Sequence, residues 1–319
     1  MLGLATPRQL AKAGIVGMNR RNVELIAQNN PRHLYPLVDD KLQTKKLAEE
    51  NGLDTPALIG VVRLTGQIKE VHDFLKPHPQ FVIKPARGSG GKGILVISGR
   101  EGDDYVKPSG SLIGFEAVAR HINNTLSGLY SLGGKPDVAM IETMVDFDPI
   151  FDRFTFEGVP DIRVIVYKGF PVMAMTRLST AASDGKANLH QGAVGVGLDI
   201  ATGKALRAVQ NGTPITQHPD TGANLAEINV PHWENLVRLS ARCQAASGLG
   251  YLGADIVLDK SEGPLVLELN ARPGLAIQIA NGTGMAGRID RVEQLIARDN
   301  PPEDAVWRAN WSMKHLAAI

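Results

Sequence analysis

The stretch GADIVLDKSEGPLVLELN (residues 253–270) predicts two strands joined by a short charged turn. Both halves are rich in Leu, Ile and Val, yet Asp255 interrupts the first half and Glu268 interrupts the second. Burying a carboxylate among such side chains costs free energy unless a cation or hydrogen bonds compensate it. These two acids therefore make the hairpin a candidate site for chemistry.

The spacing within this hairpin predicts that three oxygen-bearing side chains meet. Glu268 and Asn270 lie two residues apart, so on a strand both point to one face. If Leu258 pairs with Leu265, Asp255 lies opposite Glu268. Two carboxylates and one amide oxygen suit Mg²⁺ or Mn²⁺ that shares its coordination with phosphate. The alternative is that one acid is a surface residue on an edge strand.

A second informative stretch is FVIKPARGSGGKGILVI (residues 81–97), which predicts two short strands joined by a glycine-rich loop. Backbone N–H groups of such a loop can contact phosphate oxygens while nearby lysines add positive charge. The loop is not a Walker A motif, because Lys92 leads into Gly93 and an apolar strand instead of Ser/Thr and a helix. The alternative is a flexible hairpin turn. The candidate phosphate-binding residues are Lys84, Gly88, Ser89, Gly90, Gly91 and Lys92.

Arginines occur in the segment DIRVIVYKGFPVMAMTRL (residues 161–178), which predicts two strands around a turn. Asp161 and Arg163 lie on the same face of the first strand, and Arg177 ends the second strand at the same end of the sheet. Arginine beside a phosphate site can stabilise charge on a transferred phosphoryl group or on an oxyanion. Taken singly, a structural Asp–Arg pair is the simpler interpretation.

Composition argues against several classes of protein. The 319 residues carry 34 Lys and Arg against 33 Asp and Glu, a net charge of +1, whereas a general nucleic-acid binder usually has a strong basic excess. No apolar run approaches the roughly 18 residues of a membrane span, and the N-terminus lacks the pattern of a secretory signal. The lone Cys243 lies on the apolar stripe of a predicted helix and is interpreted as a core residue in a reducing compartment. We therefore expect a globular cytoplasmic protein that binds no nucleic acid and has no membrane span.

The order of helical and strand patterns favours an α+β fold. Helices and strands are interleaved without the strict alternation of a doubly wound parallel sheet. Residues 1–30 and 288–319 are predicted to be helical. The segment 99–136 is polar at first and then helical, 179–230 has few periodic runs, and 271–287 is predicted as loop.

The order of these segments resembles that of the ATP-grasp superfamily, in particular the RimK-type α-L-glutamate ligases and the related sugar-transfer-associated ATP-grasp proteins. The resemblance covers residues 39–285 and implies an ATP-grasp fold, in which two α+β lobes clamp ATP, with a short helical segment at the N-terminus. Six blocks in the same order carry it: DDKLQTKKLAEENGLDTP, FVIKPARGSGGKGI, AMIETMV, DIRVIVYKGFPVMAMTRL, KANLHQGAVGVG and LGADIVLDKSEGPLVLELNARPGL.

The resemblance also implies a division of the chain. Members of the superfamily usually begin with a pre-ATP-grasp domain, and the residues before the first block are too few to form it. A second copy of the chain or a partner protein is then a candidate to replace that substrate surface. The expected parts are a helical N-terminal segment (1–38), an ATP-grasp domain (39–290) with a small lobe at about 55–140 and a large lobe at about 141–290, and a helical tail (291–319).

Several nucleotide-binding residues follow from the resemblance. Lys41 resembles the first nucleotide lysine of the family, with Lys45 as the alternative. Lys84 is similar to the lysine that reaches the α-phosphate, and residues 88–93 are similar to the lid over the phosphates. The hinge whose backbone holds adenine is matched by Glu142, Thr143, Met144 and Val145.

The remaining site residues are carried over in the same way. Asp161 falls where the family contacts the nucleotide, and Arg163 and Arg177 resemble arginines that line the reaction centre. Lys186 stands where the glutamate ligases usually carry Arg, while Asn188 matches them. The magnesium ligands of the family are matched by Asp255, Glu268 and Asn270.

Arg272 is a departure from the family, which often has a small residue after Asn-Ala. A guanidinium beside a metal can clamp a substrate carboxylate through two hydrogen bonds, and it can equally form an internal salt bridge. Both interpretations stay open at this point.

The implied reaction is ATP-dependent ligation. A substrate carboxylate attacks the γ-phosphate to give an acylphosphate and ADP, and an amine then displaces phosphate to form an amide. The implied cofactors are ATP and Mg²⁺ or Mn²⁺, and the implied substrates are amino acids or peptides, with glutamate or another amino acid added to an amino acid, a peptide or a protein C-terminus. The alternatives are a kinase that phosphorylates a small molecule and a non-catalytic Mg-ATP-binding module that needs a partner.

Overall fold

The computed structural model describes residues 5–88 and 90–317, apart from the side chain of Leu132. The chain divides into two compact units. The large unit spans Met1–Val38, Leu47–Asp54 and Phe147–Ile319, of which residues 5–38, 47–54 and 147–317 are described. The small unit spans Asp39–Lys46 and Thr55–Asp146.

The elements alternate irregularly between helix and strand, as expected for an α+β chain. The α-helices of the described residues are α1 (Pro7–Lys12), α2 (Met18–Arg20), α3 (Pro36–Asp39), α4 (Lys41–Glu50), α5 (Ile68–Leu75), α6 (Phe115–Leu126), α7 (Trp233–Ser247), α8 (Ala276–Asn281), α9 (Ala286–Asp299) and α10 (Ala305–His315). The strands are β1 (Leu58–Val62), β2 (Phe81–Pro85), β3 (Leu95–Ile97), β4 (Gly99–Glu101), β5 (Asp104–Val106), β6 (Leu112–Ile113), β7 (Ala139–Glu142), β8 (Asp161–Tyr167), β9 (Phe170–Leu178), β10 (Val194–Leu198), β11 (Ala205–Gln210), β12 (Thr213–Ile215), β13 (Tyr251–Asp259) and β14 (Gly263–Asn270).

The small unit is built on an antiparallel sheet with the strand order β1-β7-β2-β3. Helix α5 buries Ile68, Val71 and Leu75, which recur at intervals of three and four residues and so form one apolar face. This face belongs to a core that also contains Phe81 and Ile83 of β2. The β2–β3 hairpin that carries the glycine-rich loop is therefore held by a packed sheet.

The segment 99–113 forms a small antiparallel sheet, β4-β5-β6, that the sequence did not predict. Its strands are two or three residues long, too short for a readable alternation of apolar and polar residues. Tyr105 of β5 is fully buried and meets Phe81 edge to face, with the ring centroids 5.7 Å apart. This sheet thus extends the core of the small unit.

The large unit is built on a seven-stranded antiparallel sheet with the order β12-β11-β10-β9-β8-β13-β14. All nine residues of β13 are buried, which agrees with its continuous apolar pattern. Helix α7 buries a stripe that includes Trp233, Leu236 and Cys243, so the prediction of Cys243 as a core residue is confirmed. The sheet brings β8, β9, β13 and β14 side by side, and these strands carry the charged side chains of the candidate site.

The prediction of a continuous helix over residues 1–30 is wrong for the described part. Helix α1 ends at Lys12, and α2 continues into a π-helical segment, Arg21–Ala27. Gly14 has a φ of +68° and lies against Gly284. A Cβ added to Gly284 would lie 1.8 Å from the carbonyl oxygen of Gly14. The close contact of two backbones therefore breaks the helix.

Three further expectations need correction. Residues 271–287, predicted as loop, contain α8 and the start of α9. Residues 288–319, predicted as one helix, contain most of α9 and then α10, with two prolines between them. The turn-rich segment 179–230 contributes β10, β11 and β12 to the large sheet. Among the described residues, no helix combines the length and apolar character that crossing a bilayer requires.

Candidate functional site

The β13–β14 hairpin places Asp255 opposite Glu268 and Gly253 opposite Asn270. The register assumed at the turn is wrong by one residue, because Leu258 pairs with Pro264 and not with Leu265. A bulge between the turn and the acids absorbs the difference, so the acids still lie opposite each other. Asn270 also donates a hydrogen bond from Nδ2 to Asp255 Oδ2, over 3.3 Å.

An arginine–aspartate chain runs across three neighbouring strands, and it consists of Asp161, Arg177, Asp255 and Arg163. Arg163 lies opposite Asp255 in the sheet and donates two hydrogen bonds to its carboxylate, over 2.7 and 2.5 Å. Arg177 lies opposite Asp161, contacts both of its oxygens and also donates to Asp255 Oδ2, over 2.9 Å. The predicted meeting of Asp161, Arg163 and Arg177 at one end of the sheet is therefore observed.

Burial and charge oppose each other in this chain. Burial favours the neutral form of Asp255, but the guanidinium groups of Arg163 and Arg177 outweigh it and hold the pKa of Asp255 below its ordinary value. At Asp161, burial and the negative charge of Asp255 outweigh the positive charge of Arg177, so the pKa of Asp161 is above its ordinary value. Asp255 is therefore the more strongly ionised of the two, as a cation ligand must be.

The hairpin carries residue types that bind a hard divalent cation, namely the carboxylates of Asp255 and Glu268 and the amide of Asn270. The amide nitrogen of Asn270 is directed at Asp255, whose two oxygens also accept hydrogen bonds from Arg163 and Arg177. Within residues 5–88 and 90–317, three or more His, Cys, Asp or Glu side chains nowhere gather to hold a metal ion. The three residues stay the candidate ligands of Mg²⁺, an ion that usually keeps water or substrate oxygens among its ligands.

The small unit contains a lysine–glutamate cluster, which consists of Lys45, Glu142 and Lys84. Glu142 Oε1 lies 2.8 Å from Lys45 Nζ, and Oε2 lies 2.6 Å from Lys84 Nζ. The side chains of Lys45 and Glu142 are each 5% exposed, whereas that of Lys84 is 18% exposed. Burial raises the pKa of Glu142, but the two ammonium groups outweigh it, so the pKa of Glu142 is below its ordinary value.

The sequence did not predict that Lys45 pairs with Glu142. The spacing on α4 is the sequence signal that could have revealed the burial of Lys45. Leu42, Lys45 and Ala48 recur there at intervals of three residues, and all three are buried. Lys45 also donates to the carbonyl of Pro56.

The glycine-rich loop requires glycine for two reasons. Gly90, Gly91 and Gly93 have φ values of +62°, +75° and +75°, a region in which L side chains are strained. A Cβ on Gly93 would also lie 2.4 Å from the ring of Tyr130. Ser89 lies outside the described residues, and Lys92 is exposed.

Lys41 contacts the start of the glycine-rich loop. Its Nζ donates to the carbonyl oxygen of Gly88 over 2.7 Å, and its own N–H donates to the carbonyl of Ala86 over 2.8 Å. Lys41, which resembles the first nucleotide lysine of the family, therefore contacts the glycine-rich loop.

The predicted hinge residues follow Glu142 at the end of β7. The Thr143 N–H donates to the Ala57 carbonyl over 2.9 Å, and its hydroxyl accepts from the Ala57 N–H over 3.0 Å. The backbone N–H and the hydroxyl of Thr143 are therefore already used within the small unit.

The last two predicted nucleotide residues lie in a polar loop of the large unit. Lys186 Nζ is 2.9 Å from Asp184 Oδ2, and Asn188 Oδ1 accepts a hydrogen bond from the His190 N–H over 3.1 Å. The contacts described for these two side chains lie within the loop and do not join them to the arginine–aspartate chain.

Arg272 lies beyond the end of β14 and is exposed. Its guanidinium carbon lies 5.0 Å from the centroid of the Tyr35 ring, a cation–π contact. The residue is thus placed next to a candidate metal ligand and against the N-terminal part of the large unit.

Comparison with known proteins assigns the family. The sequence model of the sugar-transfer-associated ATP-grasp family matches residues 20–294. A probable alpha-L-glutamate ligase of Aeromonas salmonicida is 24% identical over 83% of this chain and 67% of its own length. A probable alpha-L-glutamate ligase of Stenotrophomonas maltophilia is 26% identical over 86% of this chain and 73% of its own length.

Solved structures are also similar. That of a D-cycloserine synthetase has a TM-score of 0.46 at 17% identity, and the match covers 90% of this chain and 73% of that one. The family assignment rests on the sequence matches alone, and both relatives are named as ligases, so the enzyme class is that of the ATP-grasp ligases. The chain belongs to the sugar-transfer-associated ATP-grasp family, and use of ATP goes with that family.

Proposed function

We propose that the chain is an ATP-dependent carboxylate–amine ligase that adds glutamate or another amino acid to an amino acid, a peptide or a protein C-terminus. The observation that carries this proposal is the β13–β14 hairpin, where Asp255 and Asn270 are hydrogen-bonded and Glu268 lies opposite Asp255. The two arginines that engage Asp255 lie on the adjoining strands. A cation site beside guanidinium groups suits chemistry on phosphate and on acyl oxygen.

The reaction balances in two steps. A carboxylate oxygen of the first substrate forms a bond to the γ-phosphorus of ATP while the bond to the β-phosphate oxygen breaks, which gives an acylphosphate and ADP. The amine nitrogen of the second substrate then bonds to the acyl carbon and loses a proton, while the carbon–oxygen bond to phosphate breaks. The products are an amide, ADP and inorganic phosphate.

Asp255, Glu268 and Asn270 would hold Mg²⁺ or Mn²⁺, which would supply positive charge to offset that of the phosphates. Arg163 and Arg177 would stabilise the charge on the acyl oxygen as the amine attacks. Their carboxylate partners keep both guanidinium groups oriented before the substrate binds.

The lysines of the small unit would bind the phosphates. Lys45 and Lys84 together carry two positive charges against the single charge of Glu142, so the cluster has one positive charge in excess. Lys84 is the more exposed of the two and would contact the α-phosphate. Lys41 would support the glycine-rich loop, whose Gly88, Ser89, Gly90, Gly91 and Lys92 would cover the phosphates.

The remaining assignments follow the family pattern. The backbone of Met144 and Val145, at the end of the Glu142–Val145 hinge, would hold adenine. Asp161, Lys186 and Asn188 would line the nucleotide and substrate side of the large unit.

The test is ADP release from Mg-ATP with amino acids and short peptides offered in pairs, followed by mass spectrometry of the products. A ligase releases ADP only when an acid and an amine are both present, and its product is lighter than their sum by one water. Glu268→Gln keeps the shape of the side chain and should abolish ADP release. Glu262→Gln, in the exposed turn of the same hairpin, is the matched control and should leave the rate unchanged.

Two other outcomes would contradict the proposal. A phosphorylated product that needs no amine would identify a kinase. Binding of Mg-ATP without turnover on any pair would identify a nucleotide-binding module.

A further inference from the structure

An arginine follows directly on the strand that carries two candidate metal ligands. Strand β14 ends at Asn270, and the chain bends at Ala271 and Arg272. Burial still alternates along this ribbon (residues 268–273), with Leu269, Ala271 and Pro273 buried and the residues between them at least partly exposed. Arg272 therefore lies on the exposed side of the ribbon, two residues beyond Asn270.

The N-terminal part of the large unit fixes this arginine in place. Asn30 is 2% exposed, donates from Nδ2 to the carbonyls of Tyr251 and Ala271 over 2.6 and 2.9 Å, and accepts from the Tyr251 N–H over 2.8 Å. One of these hydrogen bonds joins the N-terminal segment to Ala271, which precedes Arg272, and the other two join it to Tyr251 of β13. The ring of Tyr35, five residues further along, then lies under the guanidinium group.

A second guanidinium lies at the next residue of the ribbon. Arg21 Nη1 is 3.4 Å from the carbonyl oxygen of Pro273, and its Nε and Nη2 donate to Asn22 Oδ1 over 3.0 and 2.8 Å. Two positive charges, those of Arg272 and Arg21, therefore lie at successive residues of the segment that follows Asn270. Guanidinium groups oriented by an aromatic ring and an amide are suited to a planar carboxylate.

We infer that Arg272, supported by Tyr35 and Arg21, binds the α-carboxylate of the amino acid that supplies the amine. This inference rests on the proposed function and specifies its second substrate. An amino acid that gives its nitrogen to the new amide keeps its α-carboxylate one carbon away from that nitrogen, whatever its side chain. A cation two residues beyond the last candidate metal ligand would therefore hold the nitrogen near the acyl carbon.

The inference separates Arg272 from the other two arginines of the site. Arg163 and Arg177 are bound to buried aspartates and, in the proposed function, would act on the reacting groups. Arg272 acts on a group that the reaction leaves unchanged, so it determines specificity and not the chemical step.

Three related amino acids test this assignment by calorimetry in the presence of Mg²⁺ and a non-hydrolysable ATP analogue. L-Glutamate has both carboxylates, L-glutamine has only the α-carboxylate, and L-isoglutamine has only the γ-carboxylate. We expect the wild-type protein to bind glutamate and glutamine about tenfold more tightly than isoglutamine, the difference that about 1.4 kcal/mol provides.

Substitutions then locate the effect. Arg272→Met should bind all three compounds equally weakly, and Arg272→Lys should keep part of the preference. Arg238→Met is the matched control and should bind like wild type, because Arg238 lies on α7 and pairs with Glu234. Each of three results would overturn the inference: no binding of any compound to the wild type, a preference for isoglutamine, or an Arg272→Met protein that keeps the wild-type preference.

ADP release distinguishes this inference from the proposed function. If the wild-type protein ligates an acid to an amine but uses glutamine and isoglutamine equally well, the proposed ligase function stands and the inference on Arg272 is wrong.

Discussion

The two charged clusters of the molecule use different cations and have different charge balances. In the large unit, the arginine–aspartate chain matches two guanidinium groups with two carboxylates, through hydrogen bonds that fix both partners in a plane. In the small unit, the lysine–glutamate cluster places two ammonium groups around one carboxylate. The first cluster pairs its charges one to one, whereas the second places two ammonium groups against one carboxylate and leaves Lys84 partly exposed.

This difference indicates different work for the two clusters. A neutral, fully hydrogen-bonded chain is suited to hold arginines and a metal ligand at fixed positions while charge develops on a substrate. A cluster with an excess cation is suited to attract an anion such as a phosphate. Substitutions should therefore affect the stability of the large unit in one case and nucleotide binding in the other.

The largest effect should come from Asp255→Ala. Removing this carboxylate leaves two buried guanidinium groups without their shared partner, which typically costs about 3–5 kcal/mol. We expect a loss of that size in the free energy of unfolding by urea, together with the loss of ADP formation.

Asp255→Asn separates packing from charge in the same experiment. It keeps the volume of the side chain and removes the charge, so it should also abolish ADP formation and recover only part of the stability. If the Asp255→Ala protein is as stable as wild type, the arginine–aspartate chain does not stabilise the large unit.

The charge pattern of the β13–β14 hairpin could be predicted from the sequence, but its turn could not. Alternation of side chains along a strand is a local rule, so the shared face of Glu268 and Asn270 follows from spacing alone. Asp255 lies opposite Glu268 only because a bulge offsets the one-residue error in the assumed register. The bulge that shifts Leu258 onto Pro264 depends on how the strand fits its neighbours, and such fitting is absent from a local pattern.

Other features of the fold depend on contacts between distant segments and were not predicted from the sequence. The break after α1 is imposed by Gly284, which lies far away in the sequence. The burial of Lys45 depends on Glu142 and Pro56, which compensate its charge, and lysine is otherwise rarely buried. Local patterns therefore predict the kinds of element and the acids, while pairing between distant segments decides the rest.

A smaller effect is expected when pH is used to separate the two clusters. The pKa of Glu142 is below its ordinary value, so its ionised form stabilises the folded state above the ordinary glutamate pKa of about 4.3. That stabilisation should disappear as the pH falls through the lowered pKa. The free energy of unfolding of wild type should therefore decrease in this acidic range.

Glu142→Gln provides the comparison, because it cannot ionise. It should be less stable than wild type at neutral pH and should converge with it on acidification, measured by urea unfolding at a series of pH values. A constant difference between the two proteins across that range would show that the ionisation of Glu142 is not linked to folding.

The smallest change in stability should come from Lys84→Met, and it distinguishes the two lysines of the cluster. Lys84 is 18% exposed, and its loss leaves Glu142 paired with Lys45. We expect a change in unfolding free energy within about 1 kcal/mol, but Mg-ATP affinity at least about tenfold weaker by calorimetry, because the excess positive charge is gone. Lys45→Met should show the reverse, since Lys45 is 5% exposed and also bonds to the Pro56 carbonyl. If Lys45→Met instead keeps its stability and loses Mg-ATP binding as Lys84→Met does, then Lys45 and not Lys41 is the first nucleotide lysine, and the buried ion pair with Glu142 is part of the binding site.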